Sequence, residues 1–188
     1  ALAAQLKNPA AIIGYARYLT HNSELEPHDE LLKWLQALAD ENNAEAMVVI
    51  GNLNARGIGT KRSLRKAVSW YKKAVKQAKA NQHSDAEIIN EVAWTLAVSE
   101  IQALQRTRYA RSIMDDLMAA NPTAQEQPEY LDTWATTYAA SGNFDRAVEL
   151  QEKAIQVALS QDREDVLNIL RDHLKKFKAG ADITDRAP

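Results

Sequence analysis

The sequence predicts an all-α chain, an α-solenoid of about four antiparallel helix pairs with a C-terminal capping helix, and three observations carry that prediction. The first is self-similarity. Ile13-Gly14 falls on Ile50-Gly51 at a shift of 37 residues and Trp34 on Trp70 at 36, with Leu31 over Ala67 and Leu38 over Ala74. A near-fixed period marked by one glycine and one bulky aromatic is how stacked helix pairs read. The second is composition: Ala is abundant, while the 188 residues hold only 6 Gly and 5 Pro, and Ala costs least in a helix interior where Gly and Pro cost most. The third is the lack of any alternating run rich in Val, Ile, Tyr or Phe long enough to suggest a sheet.

Taken in order, residues 2–7 read as a short helical stub stopped at Asn8-Pro9. Residues 9–20 carry Ile12, Ile13, Ala16 and Leu19 on one helical face, and the polar stretch 21–27 turns the chain. Residues 28–40 place Leu31, Trp34, Leu35 and Leu38 at i, i+3, i+4, i+7, and Asn42-Asn43 break that helix. A second pair spans 44–56 and 63–78 around Gly57-Ile58-Gly59-Thr60, with Ser63 as N-cap. A third spans 86–98 and 108–120, closed by Asn121-Pro122, with 123–127 a loop. A fourth spans 129–140, opened by Pro128, and 144–159, turned at Ser141-Gly142-Asn143. Residues 162–178 form a last helix with Val166, Ile169, Leu170, His173, Leu174 and Phe177 on one side and charges on the other, as the sealed end of a helical stack requires.

Several function classes fall away. The net charge of −2 excludes whole-chain electrostatic binding of nucleic acid or membrane. No run of about 18 apolar residues exists to span a bilayer. Cysteine is absent, which excludes disulfide and thiol chemistry and leaves periplasm and cytoplasm equally open. The opening Ala-Leu-Ala, with no Met and no basic-then-apolar leader, reads as a processed end or as the last turn of an upstream helix. The four histidines, His21, His28, His83 and His173, sit in no metal-ligand spacing, and no nucleophile–base arrangement is present. No metal, cofactor or enzyme activity is expected. Gly57-Ile58-Gly59-Thr60-Lys61-Arg62 leads into a helix N-terminus, a place for an anion, but no strand precedes it and a glycine turn accounts for it. Residues 61–79 hold eight cations and no acid, while Glu24, Glu26, Asp29, Glu30, Asp40, Glu41 and Glu45 make the preceding stretch acidic.

Residues 44–77 resemble a Sel-one-like repeat through Ala46, Ile50-Gly51, Gly57 and Gly59, Lys66-Ala67, Trp70-Tyr71 and Lys73-Ala74. The departures are Asn54, where the family usually has an aromatic, and Ser63, where it usually has Asp. Residues 8–43 resemble a degenerate copy, with Ile13-Gly14, Trp34 and Ala39 in place, Leu38 where the family keeps Ala, and the glycine turn replaced by His21-Asn22-Ser23. Residues 128–160 resemble a tetratricopeptide repeat through Trp134, Ala135, Tyr138, Gly142, Phe144, Ala147 and Ala154. Residues 85–122 are similar through Ala93, Ala110 and Pro122, with an inter-helix loop at 99–107 that is too long. With 161–179 as the capping helix, the resemblance implies one right-handed α-solenoid over 1–188, of bacterial type, or a piece of a longer repeat protein.

It also implies a non-enzymatic scaffold for a protein or peptide. The first helix of each pair would line a concave groove, offering Asn52 and Arg56, then Glu87, Asn90, Glu91 and Trp94, then Glu129, Asp132 and Thr136. Asn side chains pair with peptide backbone and Trp94 supplies an apolar anchor. That groove is net acidic and so suits a partner carrying Lys or Arg. The alternatives are a structural segment or regulatory arm of a longer protein, and an acidic partner held by the basic stretch 61–79. Nucleic acid is not expected as a partner, and the oligomeric state is left open.

Overall fold

The computed structural model describes residues 8–22, 27, 29–81 and 85–183. The expected stub at 2–7, with His28 and His83, lies outside the described residues. Among those described, nine α-helices and two short 3-10 turns occur and no strand: α1 Pro9–His21, α2 Leu31–Asp40, α3 Ala44–Arg56, α4 Leu64–Ala80, α5 Ala86–Val98, α6 Thr107–Ala120, α7 Pro128–Ala139, α8 Phe144–Ser160 and α9 Glu164–Lys178. The all-α expectation holds. Where one domain was expected, the chain divides into two compact units, Ala1–Ile88 and Ile89–Pro188.

In the first unit α3 is the central helix, packed by α1, α2 and α4. Its sequence, AEAMVVIGNLNAR, is apolar almost all round, and nearly every residue is buried, as such a helix must be. Its ends are set locally. Asn43 caps the start by accepting from the Ala46 amide at 2.8 Å, and Gly57 ends it at φ +80°, a left-handed conformation that an L side chain adopts at a cost. The chain then turns through Gly59, also at positive φ. Arg62 Nε donates to the Ala55 carbonyl at 3.1 Å and the Ser63 amide to that of Asn54 at 2.8 Å. Ser63 caps α4 by accepting from the Lys66 amide at 3.3 Å. Both glycines therefore serve the turn, and Arg62 is spent on holding it.

Gly51 has a separate reason. A Cβ there would stand 2.7 Å from Tyr71 Cδ1, closer than carbon atoms pack. Gly14, its counterpart in the degenerate copy, is exposed and meets nothing within 4 Å; Leu35 stands in the register of Tyr71.

In the second unit α7 is central, packed by α6, α8 and α9. Leu131, Ala154, Ala158, Leu167 and Leu170 form the core between α7, α8 and α9, with Trp134 and Val166 against it. Trp134 Nε1 and the Tyr138 hydroxyl both donate to Asp115 Oδ1 of α6, at 2.7 and 3.1 Å. Two connections differ from expectation. The long loop after α5 contains a 3-10 turn, Gln102–Leu104, whose Leu104 is buried, and the Arg106 amide donates to the Leu96 carbonyl at 2.8 Å. The loop expected at 123–127 is a second 3-10 turn, Pro122–Glu126, capped by Asn121 and burying Ala124. In both cases one apolar side chain, seated in the core, winds the connection.

Candidate functional site

The residues expected on a groove face separate in the structure. Arg56 and Glu87 are exposed, and Asn52, Asn90, Glu91, Trp94 and Glu129 are half-buried. Asn52 is already engaged, accepting the Tyr71 hydroxyl at 2.7 Å, and Glu129 takes Arg163 at 2.6 Å. Asp132 and Thr136 are corrections: they are 8% and 0% exposed, so neither presents a surface to a partner. The physical reason is that α3 and α7 are wrapped by three helices each, so their inward residues face side chains rather than solvent.

Asp132 belongs instead to a closed polar network. His173 Nδ1 lies 2.8 Å from Asp132 Oδ1. Gln151 Nε2 donates to the same carboxylate at 2.6 Å and to the Leu170 carbonyl at 3.1 Å. The Trp94 ring covers His173 with centroids 6.0 Å apart, and Phe177 flanks it at 6.3 Å. A buried carboxylate is tolerated only with such partners. Thr136 Oγ1 and Gln151 Oε1 have no hydrogen-bond partner among the described residues. Among the described residues the hydrogen-bond partner of His173 is Asp132, not a hydroxyl nucleophile. Among the described residues no group of three or more His, Asp or Glu is placed to hold a metal ion.

The candidate interaction site lies in the first unit. α4 buries Ala67, Val68, Tyr71, Ala74, Val75 and Ala78. It and the turn before it leave Lys61, Arg62, Arg65, Lys66, Lys72, Lys73, Lys76 and Lys79 exposed. The lysine-rich helix solves two problems at once: its alanine and valine stripe packs on α3, and its long stems stand in water. Beside it, α2, α3 and α4 enclose an open cleft of about 380 Å³. Each helix gives a stripe: Leu32 and Gln36 from α2, Ile50 and Asn54 from α3, and Lys66, Ser69, Trp70 and Lys73 from α4. The floor is buried, with Ile50 and Asn54 at 4% and 5% exposure, and Asn54 Nδ2 donates to the Ile50 carbonyl at 2.8 Å. Lys73 Nζ sits 4.1 Å from the Trp70 ring centroid, a cation–π contact that orients the ammonium. On the α2 side, Gln36 donates to Asp40 at 2.8 Å. Neither Lys66 nor Lys73 forms an ion pair with an acid among the described residues. The basic stretch was visible in the sequence; the cleft was not, because it needs three helices in register.

No protein-family model and no curated protein matches the chain. Among solved structures the chain is similar to a Sel1 repeat protein from Oxalobacter formigenes, at 17% identity and a TM-score of 0.48, covering 93% of this chain and 75% of that one. The all-α assignment rests on the helices themselves. No helix among the described residues is long and apolar enough to cross a membrane.

Proposed function

We propose that the chain is a non-enzymatic scaffold for a protein partner, and that an acidic segment of the partner meets the first unit along α4. One observation carries the proposal: eight exposed cations and no acid over residues 61–79, in a chain whose net charge is −2. Ordinary surfaces intersperse the two signs. A one-signed face repels itself, and what it offers in return is attraction and orientation of a ligand of opposite sign. Repeat arrays of helix pairs present extended surfaces of this kind.

A second reading is favoured by the half-buried Trp94. With the exposed Glu87 two turns away on α5, it offers an apolar anchor and a carboxylate to a basic peptide. The two readings predict partners of opposite charge, so one experiment separates them. The purified chain is probed against peptide sets matched in length and differing in charge, beside the variants Lys72→Glu/Lys76→Glu and Trp94→Ala/Asn90→Ala. Retention of acidic peptides, lost on charge reversal in α4, supports the main reading. Retention of basic peptides, lost with Trp94 and Asn90, overturns it in favour of the α5 site.

A further inference from the structure

We infer that the cleft between α2, α3 and α4 reads the partner's sequence, taking an extended peptide with two acidic residues three positions apart and an apolar residue between them. The inference rests on the acidic-partner reading and adds a register to it.

The spacing follows from helix geometry. Lys66, Ser69, Trp70 and Lys73 stand at i, i+3, i+4 and i+7, so they form one stripe facing the cleft. Lys66 and Lys73 are two turns apart, about 10 Å at a rise of about 1.5 Å per residue. That separation gives each ammonium room for a carboxylate of its own, so the cleft can hold a pair. A polyproline-type peptide has about three residues per turn and rises about 3.1 Å each. Its residues three apart therefore project to one side, about 9 Å from each other, matching the lysine stripe. The segment between the two acids passes Ser69 and the Trp70 edge, over a floor that includes the aliphatic Ile50, with Leu32 on the opposite wall. Ser69 is exposed, and its hydroxyl can serve the peptide backbone. Trp70 also fixes Lys73 through the cation–π contact, so part of the entropy of ordering that long side chain is already lost before binding.

The volume agrees with this occupant. At about 380 Å³ the cleft is at the small end of ligand sites, which run from roughly 300 to 1,000 Å³. It suits a few side chains of an extended strand, not a folded element. Its floor is open partly because position 54 carries a short amide, and a larger ring there would project into the space.

The test uses two acetylated and amidated hexapeptides of identical composition, each with two Glu, one Leu, one Pro and two Ser. In one the glutamates flank the Leu-Pro pair and stand three apart; in the other they are adjacent. Binding to the full chain is followed by isothermal titration calorimetry at low salt. The spaced peptide should bind about tenfold more tightly than the adjacent one, since only it makes both charge-assisted contacts. Lys66→Gln/Lys73→Gln should erase that preference. Lys61→Gln/Lys76→Gln removes the same charge outside the cleft and should weaken both peptides alike while keeping the preference. Asn54→Phe, with its fold checked by circular dichroism, should block the cleft without altering charge and again erase the preference. Equal binding of the two peptides by the wild-type chain overturns the cleft assignment and leaves the acidic-partner reading standing. Binding of neither, at any salt, overturns both. Capture of phosphatidylserine vesicles in place of the peptides, or self-association in sedimentation that Lys66→Gln/Lys73→Gln abolishes, would overturn the peptide assignment in favour of a lipid surface or a second copy of the chain.

Discussion

Replacing Gly51 and Gly14 by alanine, one at a time, probes the packing of the first unit through two positions that the repeat period equates. A Cβ at 51 would lie 2.7 Å from Tyr71 Cδ1 and 3.1 Å from Cζ. The ring cannot simply move aside, since Tyr71 is 1% exposed and its hydroxyl is tied to Asn52 at 2.7 Å. Forcing an extra methyl into a filled core costs about 1–3 kcal/mol, and surrendering the tyrosine hydrogen bond costs about 1 kcal/mol more. The gain from exchanging Gly for Ala inside a helix, at most about 1 kcal/mol, offsets part of this. Gly51→Ala should therefore destabilise by about 1–3 kcal/mol. Gly14 is exposed and has no neighbour within 4 Å, so Gly14→Ala should stabilise by up to about 1 kcal/mol. Denaturant and thermal unfolding followed by circular dichroism read both, at about 2–4 °C of Tm per kcal/mol for a chain of this size. Adding Tyr71→Leu, which reproduces Leu35 of the first copy, should make Gly51→Ala less costly than it is alone, a coupling that a double-mutant cycle measures. A Gly51→Ala chain as stable as the wild type would refute the close approach of α3 and α4 on which the cleft depends.

Further outcomes follow from the second unit. Asp132→Ala strips the acceptor from His173 and Gln151 in a buried setting, and should destabilise that unit by about 3 kcal/mol while leaving acidic-peptide binding by the first unit unchanged. Hydrogen bonds from Arg163 and Lys176 hold the Asp165 and Asp172 carboxyls below the ordinary aspartate range. Their folded values are depressed, so what these pairs contribute is present above the unfolded value of about 3.9 and is lost as pH falls through the lowered values. Carboxyl NMR titration should accordingly place both midpoints below about 3.9, and Arg163→Gln should return Asp165 towards it.

Much of the fold was legible because its signals are local. Ser63 caps its helix as read, the break at Asn43 and the turn at Asn143 prove to be caps as well, each receiving a first-turn amide, and Gly57 and Gly142 take the left-handed conformation in the turns assigned to them; these are properties of a few adjacent residues. The 3-10 turns were not legible, since only Leu104 and Ala124 meeting the core distinguishes them from loops. The groove assignment depended on which face of a helix remains open, and that is decided by helices far away in sequence. A signal for the outcome was present in α3, whose apolar residues run round the whole helix instead of forming one stripe, and in α7, whose Thr133, Thr136 and Thr137 are short enough to be buried. Thr137 satisfies its hydroxyl within the helix, donating to the Trp134 carbonyl at 2.7 Å, so a polar letter there did not mean a wet position. The basic stretch had the opposite character, because six like charges on one helix, with two more in the turn before it, have few ways to be hidden.

The most direct measurement is zero-length carbodiimide crosslinking of the chain to the spaced acidic hexapeptide, with the joined lysines mapped by mass spectrometry. Crosslinks concentrated at Lys66 and Lys73, and lost when Asn54→Phe fills the cleft, are the predicted result. Crosslinks spread evenly over Lys61, Lys72, Lys76 and Lys79, and unchanged by Asn54→Phe, would contradict it.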